Sequence, residues 1–131
     1  MVLPASMRLR GHRCFDHLHR RGKRYHGTLM VLRKASSNPK LLRRDATGVS
    51  MHAQHQSCRI AVVISGKVHK RAVVRNRLRR LLHDHLRARF EARSEHSDCW
   101  LLISLRPGAD AEEANLLEEC DRLLEEAGLQ P

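Results

Sequence analysis

The sequence predicts an α+β fold, a small α/β sandwich in which a sheet of four strands or fewer is packed by helices. Three observations carry that expectation. Residues 58–65 and 99–105 are short, nearly continuous aliphatic runs of the kind that form strands buried on both faces. Three other segments repeat apolar residues at helical spacing. The two patterns are interleaved along 131 residues, a length that suits one domain, residues 1–131, with a modest core.

Residues 11–21 read as a first helix, with Cys14, Phe15 and Leu18 inward and Gly22 as the stop. Residues 25–32, containing Leu29-Met30-Val31-Leu32, read as one strand. A long polar loop is expected over residues 34–57, rich in Ser, Asn, Asp, Pro and Gly; such length in a compact domain is unusual. The strand at 58–65 leads into a basic helix over residues 71–92. Residues 99–105 form the next strand, which Arg106-Pro107-Gly108 terminates. A last, acidic helix over 111–127 places Leu116, Leu117, Cys120, Leu123 and Leu124 on one side, with Gly128 after it. The predicted order is helix, strand, strand, helix, strand, helix.

Charge singles out one of these elements. The net charge is +11, carried by 25 Lys and Arg against 14 Asp and Glu. Residues 1–108 hold 24 basic and 6 acidic groups, whereas the acidic C-terminal segment 109–131 holds 1 and 8. The stretch 67–80 contains seven of the cations and no acid. At helical spacing Val74, Leu78, Leu81, Leu82 and His85 share one arc, while Asn76, Arg77, Arg79, Arg80, His83 and Arg87 spread over the other side. Arg75 lies at the border. Guanidinium grips phosphate bidentately and stacks on bases, so this face reads as a nucleic-acid surface.

Other chemistries find little support. A two-metal nuclease needs clustered carboxylates, and Asp16, Asp45, Asp84, Glu91, Glu95 and Asp98 form no such motif ahead of the last helix. The acids after Gly108 fit a solvated helix face. Ten histidines admit metal-free RNA cleavage, but His17-x-His19 has poor spacing for a helical metal pair. Neither a phosphate loop nor a nucleophile elbow is present. Four aromatics, Phe15, Tyr25, Phe90 and Trp100, are too few for a base-stacking sheet platform. Cys14, Cys58, Cys99 and Cys120 are dispersed, as expected of reduced thiols in the cytoplasm. The apolar run 60–64 is too short to cross a bilayer, and residues 1–7 do not make a secretory signal. No membrane partner and no small-molecule cofactor are therefore expected.

These residues together resemble the protein subunit of bacterial ribonuclease P. The likeness rests on Arg75-Asn76-Arg77-Leu78-Arg79-Arg80 preceded by Val62-Val63-Ile64-Ser65 and Lys67-Val68-His69-Lys70-Arg71-Ala72. Upstream it includes Arg8-Leu9, Phe15 and Gly22, and downstream Leu105-Arg106-Pro107, so that it covers roughly residues 3–128. It implies an α/β sandwich with a left-handed βαβ crossover, an exception to the usual handedness. It also implies assistance to a catalytic RNA that removes the 5′ leader from precursor tRNA, with Mg²⁺ bound mainly by the RNA. By position, Lys67, Lys70, Arg71, Arg75, Asn76, Arg77, Arg79, Arg80 and Arg87 would contact ribonuclease P RNA. Arg13, Phe15, His19 and Arg33 would line a cleft for the precursor tRNA leader. Gly66 stands where the family often has Lys, His19 where it often has an aromatic, and Arg33 where it often has Tyr. These departures imply a more electrostatic grip on the leader.

A ribosomal or other structural RNA-binding protein needs the same helix and no active site, and is the main alternative. A DNA-binding regulator would use residues 75–87 as a recognition helix, but no short helix and tight turn precede them. A self-sufficient ribonuclease would depend on His17 or His83.

Overall fold

The computed structural model describes residues 8–9, 11–36, 59–91 and 99–129. Its elements are α1 (His12–Arg21), β1 (Lys23–His26), β2 (Met30–Ser36), β3 (Arg59–Val63), α2 (Ala72–Glu91), β4 (Cys99–Leu105) and α3 (Glu113–Glu126). A 3-10 turn, Ala109–Glu112, precedes α3. The four strands form one mixed sheet in the order β1-β2-β4-β3, with β3 and β4 parallel and the other pairs antiparallel. The helix α2 connects the parallel pair, as the βαβ reading requires.

Alternation along the strands assigns the two sheet faces. Met30, Leu32, Ile60, Val62, Cys99, Leu101 and Ile103 pack with Leu78, Leu82, Leu86 and Phe90 of α2 and Leu116, Cys120, Leu123 and Leu124 of α3. On the other face Ala35, Ala61, Trp100 and Leu102 pack with Leu9 and with Cys14 and Leu18 of α1. The chain is thus layered on both sides of β4, whose residues are buried except for the half-buried Ser104. Trp100 is a core residue, as its aliphatic strand suggests.

Several boundaries differ from the sequence reading for identifiable reasons. The segment 25–32 is a hairpin, not one strand, because Gly27, Thr28 and Leu29 turn between β1 and β2. Glu119 causes this from 90 residues away: its carboxylate accepts the backbone N–H of Thr28 at 2.8 Å and of Leu29 at 2.7 Å. The Arg106 guanidinium donates to the Gly27 carbonyl from the other side, at 3.0 Å. Gly27 leaves room for this carboxylate, since a Cβ would stand 2.6 Å from the Glu119 carboxyl carbon and force it to shift. Glu119 is only 8% exposed, so the acids of α3 are not uniformly a solvated face.

Asp121 departs from that face as well, accepting from His85 at 2.7 Å and from Arg89. Lys34 to Ser36 belong to β2, where Ala35 and Ser36 pair with Trp100 and Cys99, so the expected loop begins later. The rest of that loop, residues 37–57, and Cys58 lie outside the described residues. Strand β3 is not buried throughout: Val63 is 37% exposed on the α1 face. Gly22 ends α1 in extended rather than left-handed geometry, with its N–H bonded to the Leu18 carbonyl. Gly128 follows α3 as expected. At φ 83° it lets Leu129 N–H reach back to Leu124 O, while the side chains of both leucines are buried.

The hairpin clamp yields a stability prediction. Glu119→Ala leaves two backbone amides without their acceptor and is expected to cost about 2–4 kcal/mol. Gly27→Ala is expected to cost about 2 kcal/mol by overpacking. In the Glu119→Ala background most of the Gly27→Ala cost should vanish. Urea unfolding followed by Trp100 fluorescence over the double-mutant cycle measures this coupling, and additive costs would contradict the clamp.

Candidate nucleic-acid interface

Helix α2 is anchored from behind and basic in front. Its buried line is Leu78, Leu82, Leu86 and Phe90, with Val74 packed beside it. Leu81 and His85 are half-buried flanks of this line. The forward surface carries Lys67, Lys70, Arg71, Asn76, Arg77 and Arg80, all exposed, with Arg79 and Arg87 half-buried at its sides. The first turn contains no acidic residue. Cations crowding a helix N-terminus oppose the helix dipole, whereas an anion placed there is attracted by both.

The predicted RNA contacts fall into two groups. Lys67, Lys70, Arg71 and Arg80 make no side-chain hydrogen bond or ion pair among the described residues and are free to meet phosphate. The remainder also hold the scaffold. Arg75 donates to the carbonyls of His69 and Lys70, each at 2.8 Å, which closes the turn between β3 and α2. Arg79 donates to Asn76 Oδ1 at 2.7 Å. Arg77 pairs with Glu113 of α3 at 3.1 Å. These contacts orient the Arg75–Arg80 fork before any ligand arrives. The sequence pattern, which placed Asn76, Arg77 and Arg79 free on the outer side, did not register them.

His83 also differs from its expected outward position. It is half-buried, and its Nδ1 has no hydrogen-bond partner among the described residues. Burial first, and then Arg79 and Arg8, push its pKa below the ordinary 6.5, against a weaker opposing pull from Asp84.

The second group of predicted contacts lies across the sheet and is not one cluster. Phe15 is half-buried against Trp100's layer, and His19 is exposed. At about 100° per residue, Arg13 stands on the opposite edge of α1 from Phe15. Arg13 instead lines a depression with Asp16, His17, Arg20 and Arg21. His17 fixes the orientation of that edge: its Nε2 bonds Ser36 O at 3.1 Å and its ring meets Trp100 edge-on. The Phe15 edge therefore faces the other end of the sheet, where Val31 and Ser104 are half-buried and Val63 is exposed. We take this partly covered strip of sheet beside α1 as a candidate trough.

Arg33 lies on the trough's sheet face, directly across from Arg24 of β1. Its Nε is buried with no partner among the described residues. Burial and the Arg24 charge both lower its pKa. Two facing cations in adjacent strands are mutually repulsive, and a bound anion relieves them.

Among the described residues no three His, Cys, Asp or Glu side chains come together as a metal site. Burial raises the Cys14 thiol, and burial with neighbouring Asp121 and Glu119 pushes Cys120 up to about 12, which disfavours the nucleophilic thiolate at both. Among the described residues no helix is long and apolar enough to cross a membrane.

Fold and surface define a protein that offers cationic faces on both sides of a small mixed sheet and assembles no catalytic cluster among its described residues. The chain belongs to the ribonuclease P protein family, whose model matches residues 3–128. It is 87% identical over its full length, and that of its relative, to a ribonuclease P protein component from Synechococcus sp. (strain WH7803). It is 63% identical to one from Prochlorococcus marinus (strain MIT 9313), with 98% of each chain covered. Its fold is similar to that of the Staphylococcus aureus RNase P protein, with a TM-score of 0.68 at 14% identity over 95% of this chain and 98% of the other. The Thermotoga maritima RNase P protein gives 0.59 at 18% identity over 91% and 96%. Membership makes the chain a protein subunit of ribonuclease P, serving tRNA 5′ processing with ribonuclease P RNA as its partner. The alternative of a ribosomal RNA-binding protein is set aside.

His83 generates a pH prediction. Its folded pKa lies below 6.5, so above 6.5 both states hold it neutral and it contributes no pH dependence. As pH falls through 6.5 the unfolded chain binds the proton first, and stability declines until the folded pKa is passed. The stability of wild type relative to His83→Gln should therefore fall between pH about 7.5 and about 5.5. Urea unfolding at both pH values tests this, and a constant difference would contradict it.

Proposed function

We propose that the two faces divide the work of the holoenzyme. The forward face of α2 docks on ribonuclease P RNA through Lys67, Lys70, Arg71, Arg75, Asn76, Arg77, Arg79, Arg80 and Arg87. The trough bounded by Phe15, His19 and Arg33 takes the 5′ leader of precursor tRNA. Arg13, on the far edge of α1, is not part of that trough. Phosphodiester hydrolysis belongs to the RNA, which also holds the Mg²⁺. The chain acts where its RNA partner does, in the cytoplasm.

One observation carries the reading. Cations free of internal partners gather at the N-terminal end of α2, where the helix dipole already attracts anions. Asn76, held by Arg79, supplies an amide that can meet a phosphate or a ribose hydroxyl. In the trough, Arg33 Nε, without a partner among the described residues, and the opposed Arg24 make a second anion site beside the aromatic ring of Phe15. Charge therefore outweighs stacking in the leader's affinity.

Reconstitution with ribonuclease P RNA tests the division. The chain should restore precursor tRNA cleavage at Mg²⁺ concentrations too low for the RNA alone. Replacing Lys70, Arg71 and Arg80 together with Ala should weaken assembly, and its log–log salt slope should become shallower by about 1 per lost phosphate contact. Fold stability should not change. Arg33→Gln should weaken leader binding more than Phe15→Ala does. Cleavage at low Mg²⁺ that is indifferent to the chain would overturn the reading.

A further inference from the structure

The depression on the far edge of α1 has no role in the division of labour above. It measures about 320 Å³ and is lined by Arg13, Asp16, His17, Arg20 and Arg21. We propose that it is a second RNA-backbone site, which receives the phosphates of leader nucleotides upstream of those in the trough.

Helix electrostatics separates this from an ordinary solvated face. Arg20 and Arg21 are in the last turn of α1, where cations complement the dipole and need no ligand to explain them. Arg13 is in the first turn, which has no acidic residue and no side-chain cap. A cation there opposes the dipole, and Arg13 makes no ion pair among the described residues. Asp16 sets one carboxylate against the three guanidiniums of the lining, which leaves an excess of positive charge that an entering anion offsets.

The edge is also held in place. His17 is pinned between the Ser36 carbonyl and the Trp100 ring, and a carbonyl only accepts, so Nε2 carries the hydrogen. This leaves Nδ1 to address a ligand. Asp16 is the one acid in the lining among the described residues; it can accept from a ribose 2′-hydroxyl between phosphates that the arginines grip. Three guanidiniums around one carboxylate suit a ribose-phosphate strand better than an isolated anion.

Position chooses the leader over the RNA subunit. The depression shares the α1 face of the sheet with the trough, whereas α2 is on the opposite face. Only the α1 ridge, about 10–12 Å across, separates the two. A single strand lying in the trough reaches the depression by a few more nucleotides. The inference rests on the trough being the leader's site.

The test uses reconstituted holoenzyme and two precursor tRNAs, one with a leader that ends in the trough and one extended upstream by several nucleotides. Arg13→Gln, Arg20→Gln and Arg21→Gln are combined in one chain. For the extended leader the triple variant should lose about tenfold or more in affinity, with a log–log salt slope shallower by about 2. For the short leader it should match wild type. Equal losses on both leaders, or on assembly with the RNA subunit, would overturn the upstream site, as would no loss on either. Arg33→Gln on the short leader checks the trough independently: if it binds normally, the trough reading fails instead.

Discussion

Burial of β4 on both faces is the constraint from which the rest of the architecture follows. Cys99, Leu101, Ile103 and Leu105 point to one side, Trp100 and Leu102 to the other, and none is more than 7% exposed. Its two edges are paired with β2 and β3. Such a strand needs a covering layer on each side, at about 25 cal/mol for every Å² of apolar surface removed from water. Helices α2 and α3 supply one layer and α1 the other. Because each layer is anchored by its apolar line, each turns a polar surface outward. Two cationic surfaces on opposite sides of one sheet are thus a consequence of how β4 is buried.

The acids determine which cations remain available. Glu119 holds the hairpin turn, Asp121 ties His85 and Arg89 of α2 to α3, and Glu113 steadies Arg77. Arg89 further reaches the Leu129 carbonyl, and Lys34 the Ala127 carbonyl, so the end of α3 is closed by cations. Half of the acids of α3 therefore work within the scaffold, while Glu118, Glu125 and Glu126 are exposed. The cations of the α2 turn and of α1 are left without acidic partners among the described residues. An excess of +11 concentrated this way attracts a polyanion to chosen faces.

The elements were largely legible because their signals are local. The aliphatic run of β4 gave its limits to the residue, and the apolar line of α2 was visible except that it continues through Leu86 and Phe90. What escaped was long-range. A break at Gly27 cannot be inferred from residues 25–32, since the carboxylate that makes it is Glu119. Periodicity places His83 outward, yet the fold leaves it half-buried, and burial is the first cause of its lowered pKa. The basic face of α2 was evident from composition, but the partition between free and scaffold cations depends on Glu113, Asn76 and the carbonyls of His69 and Lys70. Arg13 was grouped with Phe15 by the resemblance, although two residues along a helix point to opposite edges.

We propose that opposite faces of the sheet meet different RNAs. Site-directed photocrosslinking in the assembled enzyme with bound precursor tRNA addresses it most directly. A photoreactive residue in place of Arg80 should capture ribonuclease P RNA, and one in place of Phe15 should capture the leader. Capture of the same RNA from both positions, or an exchange of the two products, would contradict the account.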